Sequence, residues 1–289
     1  MKIAIFGSKH QKKEQVEKLF GILNDNNVEI YLQEKFYYYL RDCHHLQYSV
    51  AGIIKNDEFD VDLVVTIGGD GTFLRTASVI GKKNIPILGI NAGRLGFLAD
   101  VGEEDLEATF EDVFSGNYRI EHRSQLHLTT EHKIYHGFNY ALNEVAIMKQ
   151  DTASMITAHA YINDEYLTSY EADGLVMATP TGSTAYSLSV GGPIIAPDAH
   201  NFVIAAIAPH SLGDRPLVIT DDSIITFDVE SRNNSFLISL DGRSNVFQAG
   251  TKLTVKKADF TLQVLKRKDN TFYKTLRNKL MWGVDPRQS

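Results

Sequence analysis

The chain has 289 residues, 43% of them hydrophobic and 22% charged, which suits a soluble globular protein of one large domain or two ordinary ones. A net charge of −7 excludes a general nucleic-acid binder, which needs a basic face, but leaves room for a locally positive site for a small anion. The single cysteine, Cys43, excludes an intramolecular disulfide and fits a reducing compartment, and the longest apolar run, "FVIAAIA", is far short of the ~20 residues that cross a bilayer.

The opening "MKIAIFGSKH" has too short an apolar run for a signal peptide and reads as a first strand, so a cytoplasmic location is expected. "QKKEQVEKLFGIL" follows with Val16, Leu19, Phe20 and Leu23 at helical spacing. "VEIYL" is a second strand, and the aromatic run "KFYYYL" after it is expected to pack in a core or an interface. "DLVVTIG" and "IPILGI" are the third and fourth strands. "TFLRTASVI" and "EEDLEATFEDVF" are helices, the latter with Glu103 and Glu104 near its start. Short apolar strands separated by helices imply a parallel sheet covered on both faces.

Beyond about residue 120, "QLHLTTE", "NYALNEVAIMK", "ITAHAYINDEYLTSYEADGLVMA", "SIITFDVE", "SFLISLDG", "TKLTVKKA" and "FTLQVLK" alternate at period two between turn residues. One short helix is expected near 183–190. The closing "TFYKTLRNKLMWG" regains helical spacing through Phe272, Leu276 and Leu280. The expected fold class is therefore α/β plus all-β. A Rossmann-like parallel α/β domain spans 1–122 and 268–289, the terminal helix returning to it, and a β-sandwich-like domain spans 123–267.

Several chemistries are missing from the sequence. There is no G-x-x-x-x-G-K-[ST] phosphate loop, no G-x-G-x-x-G, no H-E-x-x-H, no paired cysteines and no G-x-S-x-G elbow. His132 and His136 are four apart in a β context, where that spacing does not share a helical face, so no metal ligand is assigned.

The stretch "VVTIGGDGTFL" is different in kind. A buried strand runs into Gly68-Gly69-Asp70-Gly71-Thr72 and then into a helix. Carboxyl ends of strands are where α/β sheets bind ligands, glycines allow close backbone approach, and the following helix adds the positive end of its dipole. Such amides suit phosphate oxygens. Asp70 would repel them, so it is expected to hold a magnesium ion, accept a proton from a hydroxyl, or both. "NAGRLGFL" at 91–98 offers a second glycine-rich loop facing phosphate. Asn143 and Glu144 stand together in "LNEVAI"; an asparagine amide pairs with an adenine edge and a glutamate accepts from ribose hydroxyls. Neighbours in a strand point to opposite faces, so the strand must bulge or end there if both are to reach one ligand. In "TPTGSTAYSLS", Ser183 is a candidate N-cap.

The Gly-Gly-Asp-Gly-Thr segment resembles the loop shared by NAD kinases, diacylglycerol and sphingoid lipid kinases, and phosphofructokinases. Together with "NAGRLGFL", "LNEVAI", "EADGLVMATPTGSTAYSLSVGGPI", "IAPHSLGDRPLVI" and "ISLDGR", in this order and spacing, it is similar to the NAD kinase family over nearly the whole chain. That resemblance implies transfer of the ATP γ-phosphoryl group to the 2′-hydroxyl of NAD, yielding NADP and ADP with Mg²⁺ or another divalent cation. It further implies a homo-oligomer, a tetramer or a dimer, with no membrane or nucleic-acid partner.

By the same resemblance Asp70 is the general base. Gly68, Gly69, Gly71 and Thr72 sit against phosphates, with Arg75 as a nearby charge partner. Asn143 and Glu144 hold the adenosine, Asp173 binds farther along NAD, and Thr181, Thr184, Ala185, Tyr186, Ser187 and Ser189 line the pocket. Ala208 is a contact from a neighbouring subunit, and Asp241 belongs to an Asp-Gly turn. Glu171 stands where comparable members carry a basic residue, which bears on NADPH binding and on acceptance of NADH. A lipid kinase and a non-catalytic dinucleotide sensor are the competing readings; no amphipathic basic helix supports the first.

Overall fold

Every side chain of Leu63–Ile67 is buried, as a strand covered on both faces requires. In the computed structural model this strand lies inside a seven-stranded sheet. The structure describes residues 1–9, 11–45, 48–131, 135, 137–151 and 154–283; His132 and His136 fall outside them. The chain divides into two units, Met1–His122 with Gln263–Ser289, and Arg123–Leu262.

The first unit begins with β1 (Lys2–Gly7), α1 (Lys13–Asp25), β2 (Glu29–Gln33), α2 (Glu34–Cys43) and β3 (Gly52–Ile54). It continues with β4 (Leu63–Ile67), α3 (Asp70–Ile80), β5 (Ile87–Ile90), α4 (Leu106–Ser115) and β6 (Tyr118–Arg123). The sheet begins β3-β2-β1-β4-β5, with all four pairings parallel. Strand order reverses between β1 and β4, so their carboxyl ends flank the crevice in which such sheets bind ligands. α1 buries Val16, Leu19, Phe20 and Leu23, the four residues its spacing marks. The aromatic run forms a helix: Gln33 accepts the Phe36 amide at 3.0 Å, and Phe36 and Leu40 enter the core.

The second unit contains β7 (Leu126–Thr130), β8 (Tyr140–Ala141), β9 (Glu144–Lys149), β10 (Ile156–Ile162), β11 (Glu165–Ala172) and β12 (Gly174–Ala178). A 3-10 turn (Thr181–Thr184) and α5 (Tyr186–Ser189) follow. The unit ends with β13 (Asn201–Ile207), β14 (Leu217–Thr220), β15 (Ile225–Ser231), β16 (Ser235–Leu240), β17 (Arg243–Gln248) and β18 (Leu253–Lys257). Two six-stranded sheets result, β11-β10-β15-β18-β7-β8 and β14-β13-β12-β9-β16-β17. Leu126, Leu128, Ile156 and Ala158 of one share a core with Val145, Ile147, Phe236 and Ile238 of the other, the packing of a β-sandwich.

The last strand corrects the expected boundary. β19 (Leu262–Arg267) belongs with the first sheet, between β5 and β6, and pairs parallel with β5. Val264, Leu265 and Lys266 are buried in succession, so what reads as alternation is a strand covered on both sides. α6 (Phe272–Leu280) also belongs to the first unit; Thr271 caps it by accepting the Lys274 amide at 3.2 Å, and Thr275 and Leu276 are its buried residues.

Candidate functional site

Each unit contains a loop gathered onto one aspartate. In the first, β4 ends at Ile67, Gly69 precedes α3, and Asp70 is the first helical residue. Helices leave their first amides without intrahelical acceptors, so Asp70 and Gly71 present N–H groups at the carboxyl end of β4. The Asp70 carboxylate turns to the segment after β5. Its Oδ2 accepts the Phe97 amide at 3.0 Å, and its Oδ1 accepts the Leu98 and Ala99 amides at 3.0 and 2.9 Å. A carboxylate offers about four acceptor positions, so one on Oδ2 stays open. Gly96 lies so close that a Cβ there would strike Oδ1. Thr72 is buried and accepts from the exposed Arg75 at 3.2 Å.

The "NAGRLGFL" loop therefore differs from its sequence reading. The Asn91 amide donates to Val101, Gly93 to Asn91, Gly96 to Ala99, and the amides of residues 97–99 to Asp70, so the amides left to face a phosphate are those of Ala92, Arg94 and Leu95. From the other side the loop rests on a buried ion pair, Lys266 to Asp100 at 2.7 Å, with Asn270 donating to the same carboxylate at 2.8 Å. A polar cavity of about 290 Å³ beside Asp100, Arg267 and Asn270 is also lined by Asn91, Gly93 and Leu95 of this loop.

In the second unit the strand breaks where Asn143 and Glu144 require it to. β8 stops at Ala141 and β9 starts at Glu144. Asp241, left-handed at φ 49°, accepts the amides of Leu142, Asn143 and Glu144 at 2.7, 2.8 and 3.1 Å. The Asn143 carbonyl accepts the Thr179 amide at 2.9 Å, and a Cβ on Gly182 would strike that carbonyl. The Tyr186 amide donates to the Glu144 carboxyl. Asn143 Oδ1 and Glu144 Oε2 are shielded from solvent yet have no hydrogen-bond partner. Buried polar atoms are costly without partners, so the pair marks where a ligand's donors belong. Burial and the neighbouring Asp241 push the Glu144 carboxyl up to about 8, and burial also raises Asp241.

Ser183 is not a helix cap. Its hydroxyl donates to the Pro180 carbonyl at 2.6 Å and accepts the Ile195 amide at 3.0 Å, while Ala185 precedes α5. Thr184 donates to the Thr181 carbonyl, Ser187 is buried with an unpartnered Oγ, and Ser189 is exposed. Tyr186 packs beside Ala146, Val176 and Ala178. Thr181 accepts from the buried Arg123 at 3.3 Å. Neither Arg123, which lies outside the motifs, nor Thr179, which opens "TPTGSTAYSLS" and whose hydroxyl donates to the Leu142 carbonyl, was singled out from the sequence.

Asp173 and Ala208 are not brought to this cluster. Glu144 pairs with Ala178 at one end of β12, whereas the Asp173 amide bonds Ile207 at the other. Four residues of strand separate those ends, roughly 13 Å. Asp173 pairs with Lys149 at 2.6 Å beside a cavity of about 160 Å³ that His210 and Arg232 also line. Ala208 is exposed and left-handed at φ 46°. Glu171 is exposed on β11. Among the described residues no three His, Cys, Asp or Glu converge as a metal cage, and no helix is long and apolar enough to cross a membrane.

Residues 4–118 match the model of the ATP-NAD kinase N-terminal domain and residues 142–267 that of the ATP-NAD kinase C-terminal domain. The chain is 49% identical over 289 residues to an NAD kinase of Bacteroides fragilis, covering 99% of this chain and 100% of that one. It is 45% identical over 274 residues to an NAD kinase of Cytophaga hutchinsonii, with 94% of each covered. It shares its fold with yeast NADH kinase complexed with NADH, with a TM-score of 0.88 at 24% identity over 100% of this chain and 90% of that one. An NAD kinase from Archaeoglobus fulgidus in complex with ATP superposes with a TM-score of 0.79 at 24% identity over 97% and 99%.

Proposed function

The chain belongs to the NAD kinase family and transfers the γ-phosphoryl group of ATP to the 2′-hydroxyl of the adenosine ribose of NAD, and we propose that its two aspartate-held loops divide this work. The α/β unit takes the phosphates and the proton; the β-sandwich unit takes the adenosine. NADP and ADP are the products.

The observation that supports the assignment is the single open acceptor position on Asp70, beside the free amides at the start of α3. A ribose hydroxyl donating there hands its proton to the carboxylate as the phosphorus–oxygen bond forms. Carboxylates are far weaker bases than alkoxides, so the proton leaves late. The Gly69 and Gly71 amides and the Thr72 hydroxyl hold phosphate oxygens, with Arg75 beside Thr72, while the Gly68 amide, bonded to the Ile90 carbonyl at 2.9 Å, shapes the loop instead of meeting a phosphate. Asn143 Oδ1 accepts the adenine amino group and Glu144 the ribose hydroxyls, and Thr181, Thr184, Ala185, Tyr186, Ser187 and Ser189 enclose them. Asp173 meets the far part of NAD.

A divalent cation, Mg²⁺ by preference, fits this donor set as an ion carried on ATP, since magnesium is held by one or two carboxylates plus substrate phosphates and no protein cage is required. When bound, it neutralises charge on the migrating phosphoryl group. A homo-oligomer, tetramer or dimer, belongs to the same proposal: Ala208 opens an exposed loop whose Leu212 is 95% accessible, a surface suited to a neighbouring copy. NADP occupies the NAD pocket, and the working compartment is the cytoplasm, in keeping with one free cysteine.

The test is a coupled assay of NADP formation with NAD, ATP and Mg²⁺, run beside diacylglycerol as acceptor. NADP formation without lipid phosphorylation is expected. Stabilisation by NADP without turnover would leave a sensor, and a phosphorylated lipid would leave a lipid kinase.

A further inference from the structure

Successive amides of a β-strand point in alternate directions, so three in a row cannot converge on one group unless the strand is broken. Leu142, Asn143 and Glu144 do converge, all on Asp241. The hold is reciprocal, because the Asp241 amide donates to the Glu144 carbonyl at 3.2 Å. Asp241 is itself in the left-handed conformation at the turn between β16 and β17, which a short polar side chain tolerates better than most. Behind it Arg243 donates to the carbonyls of Leu240, Phe138 and Tyr140 at 3.1, 2.5 and 2.5 Å, fixing the turn to the strands beside the break.

We propose that Asp241 is a positioning residue for NAD: its carboxylate folds the 142–144 elbow that presents Asn143 and Glu144 to the adenosine. This rests on the NAD kinase reading of the same site and extends it to a residue that touches neither substrate. The central Asn143 suits a turn, but the acceptor for the three elbow amides is not local: it is supplied from about a hundred residues away.

The arrangement also has an electrostatic consequence. The groups around the Glu144 carboxyl are Asp241 from the β16–β17 turn, the Tyr186 amide from α5 and, behind Asp241, Arg243 with the Tyr135 hydroxyl bonded to its carbonyl. Burial and Asp241 favour the protonated Glu144, and the Tyr186 amide opposes them. Ribose hydroxyls donate to a carboxylate better than to a carboxylic acid, so NAD binding strengthens as pH rises toward about 8. Removing the Asp241 charge moves that rise to lower pH.

The experiment measures steady-state NADP formation by the full-length wild type and Asp241→Asn between about pH 6 and pH 9. The variant keeps one acceptor oxygen and loses the charge. KM for NAD is expected to rise about tenfold or more with KM for ATP within about twofold, and the pH dependence of KM for NAD to shift downward. A wild type that makes no NADP ends the functional reading itself. A wild type that turns over, beside a variant unchanged in KM for NAD and in pH profile, ends this inference alone. Equal rises in both KM values with an unmoved pH profile would also overturn it, as general loosening. Should Asp241→Asn not fold, Asp241→Ser is read the same way. Calorimetry of the wild type in buffers of different ionisation enthalpy adds an independent reading: release of about one proton per NAD near pH 7 is expected, and no release contradicts the coupling.

Discussion

Asp70 and Asp241 make the same bonds and serve opposite ends. Each accepts three consecutive backbone amides, residues 97–99 in the α/β unit and 142–144 in the β-sandwich unit. Each loop is backed by a cation, Lys266 beneath the first and Arg243 behind the second. Asp70 is partly exposed at a helix start with an acceptor position to spare, so its carboxylate is available for chemistry. Asp241 is half-buried like Asp70, but it sits in a turn with its own amide bonded back to Glu144, and what its loop leaves open are the side chains of Asn143 and Glu144. One device thus yields a reactive group where the aspartate keeps an acceptor position at a helix start and a recognition edge where the residues it holds carry the open groups.

The largest stability effect separating the two loops lies under the first. Lys266→Ala strands Asp100, whose side chain is only 5% exposed, and costs about 3–5 kcal/mol by urea unfolding. A loss below about 1 kcal/mol would mean the pair is solvated and the loop rests on something else. The two close glycines come next. Gly182→Ala drives a methyl into the Asn143 backbone, which cannot swing away, so KM for NAD rises while stability falls by about 1–3 kcal/mol. Gly96→Ala instead meets the tip of the Asp70 side chain, so kcat falls more than stability. Interchanged phenotypes would break the division of labour.

The smallest expected effect is a slope. Glu144 is raised to about 8 in the fold from an ordinary 4.5, so the folded chain binds more protons than the unfolded chain between those values. Stability therefore falls as pH rises through that window. Glu144→Gln flattens this part of the urea midpoint against pH and is relatively most stabilising near the upper end. Asp241, also raised, leaves a residual slope in the same direction. An unchanged slope in Glu144→Gln would contradict the assignment of the proton.

Much of this was legible in the residues. Val16, Leu19, Phe20 and Leu23 mark α1, and the glycines around Asp70 mark the end of β4. The interruption at Asn143-Glu144 follows from two neighbouring side chains having one destination. What was not legible is pairing at long range. Nothing in "GGDGT" indicates that its aspartate holds residues 27 to 29 positions later, and nothing in "LDGR" points back 97 to 99 positions. Local ambiguity explains the other misses. "KFYYYL" packs into the core as expected, on a helix that its composition leaves unmarked because aromatic residues are equally at home in strands, whereas "FTLQVLK" mimics a half-buried strand although its neighbours cover both faces. Ser183 looks like a cap until its hydroxyl is seen bridging Pro180 and Ile195.

The open position on Asp70 is tested most directly by turnover of Asp70→Asn at saturating NAD and ATP, read beside the thermal shift that NAD produces in the same protein. Loss of roughly 10²–10⁴-fold in kcat with the shift retained is expected of a proton acceptor. Wild-type turnover in that variant would contradict it.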